Sequence, residues 1–202
     1  MGTGVRSAGA LDAIILAGGA GSRFGGGKLL APWRDGLLIE AALEAAFAAP
    51  VRWVVLVTGA DADVMPVALE YALREGEAAR LRIVHASNHA LGMSESLKAG
   101  LAALPEDAAG VFVFLGDMPR IPPAVLPRLA ESLAGGAPAA APRCDGGRGH
   151  PVLFTAALFP ALRAVTGDEG ARSVLQNLGD RLALVDTADP GVLFDVDTPD
   201  QL

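Results

Sequence analysis

The chain has 202 residues, 51% of them hydrophobic, and a chain of this length buries roughly 70% of its unfolded surface, enough for one substantial core. Sixteen basic against 23 acidic residues give a net charge of −7, which with no basic block excludes the electrostatic footprint of a nucleic-acid binder. Small alanines carry much of the mean hydropathy of +0.40, and the longest apolar candidate, residues 37–49, is broken by Glu40 and Glu44, so no run approaches the ~18 residues of a membrane span.

Residues 1–11 are small, polar and glycine-rich without an apolar stretch. They are expected to form a loose extension rather than a secretory signal. Residues 12–202, which lack a linker, repeat or low-complexity block, are expected to form one cytoplasmic domain. The single cysteine, Cys144, excludes an internal disulfide framework and a cysteine metal cluster.

Short apolar runs alternate with helical patterns along the chain. Residues 13–16 read as a buried strand leading into a glycine-rich loop. Residues 37–49 are helix formers stopped by Pro50, and residues 51–57 (VRWVVLV) are a strand. A helix is expected over 62–75, a strand over 81–85, and a helix over 94–104 with Ser94 as N-cap. The run VFVFL at 111–115 is too apolar to have a wet face. Pro122 and Pro123 open a helix reaching about residue 134. Beyond Gly146 the reading is an extended segment at 151–154, two short helices, and a return strand at 192–196. The chain then ends in a helix start, with Thr198 and Gln201 forming a capping box and Pro199 at its first position. Such alternation predicts a three-layer α/β/α sandwich around a mostly parallel sheet. Its ligand would lie outside the carboxyl ends of the strands, in the loops after Leu16, His85 and Leu115.

The loop after Leu16 carries six glycines in the ten positions 18–27. They let the backbone approach a ligand closely and cluster its N–H groups into an anion-binding concavity. Arg23 and Lys28 add cations suited to a triphosphate. The plainer reading, a flexible surface loop with incidental charges, leaves its place after a buried first strand unexplained. A Walker A loop would need glycine where Ser22 stands and serine or threonine where Leu29 stands. A dinucleotide fingerprint begun at Gly19 and Gly21 would put its third glycine on Phe24, and its ribose acid near Glu40 falls within a helical pattern.

The arrangement that fits is L-A-G-G-x-x-x-R-x-G-x-x-K, from Leu16 through Arg23 and Gly25 to Lys28. In this the chain resembles the MobA-like nucleotidyltransferases. Further segments carry the resemblance to residue 202. Gly116-Asp117-Met118-Pro119 puts a carboxylate at a strand end, where an oxygen ligand suits Mg²⁺, although an aspartate there could simply bond backbone in a turn. Asp195-Val196-Asp197-Thr198-Pro199, taken as strand, would turn both carboxylates to one face. The segment from Gly92-Met93-Ser94 through Ser96 enters a helix N-terminus, a place for phosphate or merely a serine cap. Gly149-His150-Pro151-Val152-Leu153-Phe154 and Gly167-Asp168-Glu169-Gly170-Ala171-Arg172 complete the set.

These later segments are similar to those of molybdenum cofactor cytidylyltransferases. The resemblance implies a nucleotide-diphospho-sugar-transferase-like fold and transfer of CMP from CTP to the terminal phosphate of molybdopterin, with release of pyrophosphate. Nucleotide contacts would come from Leu16, Ala17, Gly18, Gly19, Gly21, Ser22, Arg23, Gly25, Lys28, Gly116 and Asp117. Arg23, Lys28 and Asp117 would be catalytic, and Asp117 with Asp197 would hold Mg²⁺. Gly92, Met93, Ser94, Ser96, His150 and Arg172 would face the acceptor. Transient contact with a molybdenum hydroxylase would follow. Leu16-Ala17-Gly18-Gly19 departs from the cytidylyl form in having glycine at 18, as guanylyl relatives do, and a smaller residue there would leave room for a purine and GTP. Two readings from other classes stand beside it: a non-catalytic nucleotide- or cofactor-binding maturation protein, and a Rossmann oxidoreductase using NAD(P).

Overall fold

The computed structural model describes residues 10–19, 21 and 24–202. In chain order, the elements are β1 (Leu11–Ala17), β2 (Pro32–Trp33), β3 (Gly36–Leu37), α1 (Leu38–Phe47), β4 (Val54–Thr58), α2 (Val64–Arg74), β5 (Leu81–His85), α3 (Met93–Ala103) and β6 (Gly110–Leu115). There follow α4 (Val125–Ala134), β7 (Ala139–Cys144), β8 (Gly147–Arg148), β9 (Val152–Thr155), α5 (Phe159–Ala164), α6 (Arg172–Leu178) and β10 (Leu182–Asp186). The sheet runs β10-β7-β9-β6-β1-β4-β5, with β8 paired to β7 and with β2–β3 forming a separate hairpin. Every neighbour on the main path is parallel except β9, which runs against both β6 and β7.

The continuous apolar runs follow from this layering. Successive side chains of a strand point to opposite faces, and here both faces are covered. Ala13, Ile15 and Ala17 of β1, with Phe112 and Phe114 of β6, pack in one core with residues of α1, α2 and α4. Ile14, Val111 and Val113 point the other way, toward Leu97 and Leu101 of α3, Leu162 of α5 and Leu175 of α6. The result is the expected α/β/α sandwich with a mostly parallel sheet. Among the described residues, no helix is long and apolar enough to cross a membrane.

Several elements depart from their expected form. The strand read from residue 51 is regular from Val54, although Arg52 N–H already donates to Leu11 O and Ala13 N–H to Trp53 O. The Arg52 side chain explains the early divergence, since it turns to the fully buried Asp12 carboxylate (3.1 and 3.3 Å) and to Asp107. Ser94 does not cap α3. Gly92, at φ 118°, holds the cap position, while Ser94 is buried in the first turn with its hydroxyl unpartnered. Pro122 and Pro123 form a turn whose carbonyls accept from Val125 and Leu126, and α4 starts only there. The return strand is β10, not residues 192–196, which lie in a 3-10 turn (Pro190–Leu193) and an extended loop. Strand β7 has no counterpart in the sequence reading, because its alanines and Pro142 carry little β propensity of their own. Its place between β9 and β10 makes it a strand.

Candidate functional site

Strand order around β1 fixes the place of the site. The chain passes from β1 to β4 and β5 on one side, then returns to β6 on the other. This reversal opens a crevice at the carboxyl ends of β1 and β6. A cavity of about 500 Å³ lies there, walled by Leu16 to Gly19, Gly21, Gly27 and Lys28, by Leu115 and Asp117 after β6, and by Gly92, Met93 and Ser96 at the start of α3. The three loops singled out from the sequence thus meet in one place.

Close packing explains two of the glycines. A side chain at Gly18 would collide with the Ser96 hydroxyl, and one at Gly59 would meet the Gly18 backbone and the His89 Cβ. The loop after β4 is also tied to the first one, with Ala60 N–H donating to Gly18 O. The space beside Gly18 is therefore filled by Ser96, so glycine at this position answers to the packing of α3. The glycine loop folds back on itself, with Phe24 N–H and Gly26 N–H both donating to Gly21 O. Gly27, at φ 63°, turns the chain into a short 3-10 helix (Lys28–Leu30), a left-handed step that glycine takes without penalty.

Lys28 is the electrostatic centre of the cavity. Its Nζ lies 2.7 Å from Asp117 Oδ2 and 3.5 Å from Asp197 Oδ1, so residues 89 and 169 positions away converge on it. Asp117 is set by Gly116 N–H donating to Leu16 O, and its own carbonyl accepts from Val196 N–H (3.0 Å), which joins the two acidic segments. Asp197 is set by the expected capping box, in which Gln201 Oε1 accepts from the N–H groups of Asp197 (2.7 Å) and Thr198 (2.9 Å). Asp195 and Asp197 do not share the face of a strand, since their segment is a loop. The Asp195 carboxyl is nonetheless held above the usual carboxylate range, first by desolvation and then by the negative charges of Asp197 and Asp117.

Asp117 and Asp197 are the two carboxylates that could hold a metal ion. Among the described residues, no group of three or more His, Cys, Asp or Glu side chains is arranged to do so. Two carboxylates completed by substrate phosphate oxygens and water suit Mg²⁺, which rarely has an all-protein cage. The convergence of both carboxylates on one cation, the Lys28 ammonium, fits a hard cation at the same place.

A second cavity, of about 210 Å³, adjoins the first and shares Leu16, Met93, Leu115 and Asp168 with it. Arg148, His150 and Arg172 line its polar side against apolar walls that include Leu97, Val152 and Phe154. His150 N–H donates to Val192 O (2.9 Å), and a side chain at Gly149 would strike that same carbonyl. Burial pushes the imidazole pKa down against a hydrogen bond with the Val113 backbone. Its Nδ1 is buried without a partner.

The structure therefore brings Ala17, Gly18, Gly19, Gly21, Lys28 and Asp117 to the first cavity and His150 with Arg172 to the second, while Leu16 and Met93 belong to both. Gly92 and Ser96 border the larger cavity. Ser94 lines neither cavity, and neither do Gly25 and Gly116. Ser22 and Arg23 lie outside the described residues. Glu40 is occupied at the head of α1, where it accepts from Leu37 N–H (2.8 Å) and Arg74 (2.9 Å). The sequence reading missed Gly59, Asp61 and the part played by Asp168. The first two follow a strand end, the same signal that marked the other loops.

A crevice of this kind, with a glycine loop and a lysine bridging two aspartates at the carboxyl edge of a parallel sheet, defines a nucleotide-binding α/β protein with a second, adjoining ligand pocket. More particularly, the chain belongs to the MobA-like NTP transferase domain family, whose model matches residues 13–182, and nucleotidyl transfer is the activity of that family. It is 34% identical to the nicotine blue oxidoreductase of Paenarthrobacter nicotinovorans over 94% of this chain and 93% of that one. Its identity to the molybdenum cofactor cytidylyltransferase of Escherichia coli is 28%, over 95% and 93% of the two chains. Among solved structures it is similar to Rv0371c of Mycobacterium tuberculosis, with TM-score 0.76, 26% identity and 96% of each chain covered. A structure of that protein in complex with manganese matches at TM-score 0.70.

Proposed function

We propose that the protein transfers CMP from CTP to the terminal phosphate of a molybdopterin-type acceptor and releases pyrophosphate. The observation that carries this reading is the pair of adjoining cavities, which share Leu16, Met93, Leu115 and Asp168, the larger of them lined also by Lys28 and Asp117. A carrier needs one ligand site, whereas a transferase needs two that meet. The triphosphate lies along the glycine loop with Lys28 against its charge, a role that the sequence assigns to Arg23 as well. The acceptor occupies the smaller cavity, its apolar walls against the planar ring and Arg148 and Arg172 near its anionic groups. The acceptor phosphate oxygen then attacks the α-phosphorus, and the bond from that phosphorus to the pyrophosphate oxygen breaks. No side chain is nucleotidylated, so the protein contributes positioning and electrostatic stabilisation.

Asp117 and Asp197 would hold a magnesium ion, which supplies neutralisation of charge on the reacting phosphates when bound. The manganese complex of Rv0371c supports a divalent cation in this fold. CTP rather than GTP is favoured by the relation to the cytidylyltransferase. The reading includes a cytoplasmic setting and delivery of the product to a molybdenum hydroxylase.

A second reading, an oxidoreductase, is supported by the 34% identity to the Paenarthrobacter protein of that name. One experiment separates them. Purified protein is given Mg²⁺, intact molybdenum cofactor and CTP, GTP, ATP or UTP in turn, and pyrophosphate is measured; NADH and NADPH are titrated in parallel. Release with CTP is the expected result. Release with GTP alone would reassign the base, and silence with all four nucleotides alongside saturable NAD(P)H binding would favour the oxidoreductase.

A further inference from the structure

We infer that Lys28 is a resident counter-cation that closes the metal seat until a triphosphate draws it away. The inference rests on the proposed assignment of Asp117 and Asp197 as metal-holding residues. The Lys28 ammonium stands between their oxygens, at 2.7 and 3.5 Å, which is where a shared cation would sit. Its side chain is only 11% exposed, against 29% and 45% for the two aspartates, so the cation is the more enclosed member of the cluster.

The loop fixes this placement. The Cβ of Lys28 lies where a side chain at Gly21 would reach to 3.0 Å, and Gly27 turns the chain immediately before it. Beyond Cβ the lysine stem is flexible, with a compact and strongly hydrated charge at its end. That charge can move from carboxylates to phosphates while its anchor stays still. A divalent ion and an ammonium cannot share the same two oxygens without strong repulsion. Metal binding without nucleotide therefore has to displace Lys28 into water, whereas in the presence of a triphosphate the ammonium has a new anionic partner. Metal and nucleotide are thus taken up together, and the closed lysine protects two partly buried like charges in the free protein.

The test is Mn²⁺ binding to the nucleotide-free protein, read by electron paramagnetic resonance of free Mn²⁺ at fixed pH. The variants are Lys28→Met, which keeps the stem without charge, and Lys28→Gln, which guards against a packing defect in the first. Both should bind Mn²⁺ about tenfold or more tightly than wild type, because a competing cation has been removed. The additional change Asp117→Asn should abolish the gain. Unchanged or weaker Mn²⁺ binding in folded Lys28 variants, with wild type depleting Mn²⁺ in the presence of CTP beyond a protein-free Mn²⁺–CTP control, would overturn the lock while leaving the metal assignment standing. Failure of wild type to take up Mn²⁺ beyond that control would overturn both.

Discussion

Asp117→Asn changes one oxygen for nitrogen and removes one charge, and its effects on activity and on stability should part company. The variant loses the 2.7 Å contact with Lys28 as an ion pair. A hydrogen bond to a charged group is worth about 1.5–3 kcal/mol when enclosed, and with Asp117 29% exposed the figure falls to about 1 kcal/mol. Lys28 keeps Asp197 as a partner. Against this loss stands relief of the repulsion that lifts the Asp195 pKa, in which Asp117 takes part. The two terms oppose, leaving a net change within about 1 kcal/mol, or 2–4 °C in Tm for a chain of this length. Activity has no such compensation. Loss of one preorganised electrostatic group at a developing charge costs about 2.7–4 kcal/mol, or 10²–10³ in kcat. Pyrophosphate release with CTP, Mg²⁺ and acceptor measures the second effect, and a thermal melt the first. A variant within tenfold of wild-type turnover would refute the role given to Asp117, and a Tm lowered by more than about 8 °C would make the carboxylate structural.

Asp195→Asn should raise Tm at pH 7. A carboxyl whose folded pKa is raised is stabilising when protonated and loses that contribution as pH climbs through the folded value, so the gain should vanish below the 3.8 of a free aspartate; melts across pH would show it. Gly18→Ala should destabilise by about 1 kcal/mol through its clash with the Ser96 hydroxyl. The double variant with Ser96→Ala should recover most of that loss, and additive single effects in urea unfolding would disprove the contact. Asp12→Ala should cost about 2–3 kcal/mol, or 4–12 °C in Tm, because Trp53 N–H and part of the Arg52 guanidinium lose a fully buried acceptor. Calorimetry decides this, and a loss below 1 kcal/mol would mean that Asp107 suffices for Arg52.

The sandwich was legible in the sequence because its central strands are buried on both faces, which writes itself as uninterrupted runs such as VFVFL. The glycine loop and the aspartates after β6 and before Thr198 were legible as well. Backbone that must approach a ligand and oxygens that must meet cations leave few residue types to choose from. Strand β7 was not legible, since AAAPRC becomes a strand only by filling the place between β9 and β10. Nor was Asp195 with Asp197 legible as a loop, because alternation of two charges and a valine reads as strand until Gln201 folds back upon it. Chain order said that Lys28, Asp117 and Asp197 each belong to a motif of their own. Tertiary structure decided that they meet, because the crossover from β5 to β6 sets two distant strand ends on either side of one crevice. It also decided what Gly18 is for: local sequence offers a small residue and an open space, and only the packing of α3 against β1 puts Ser96 in that space.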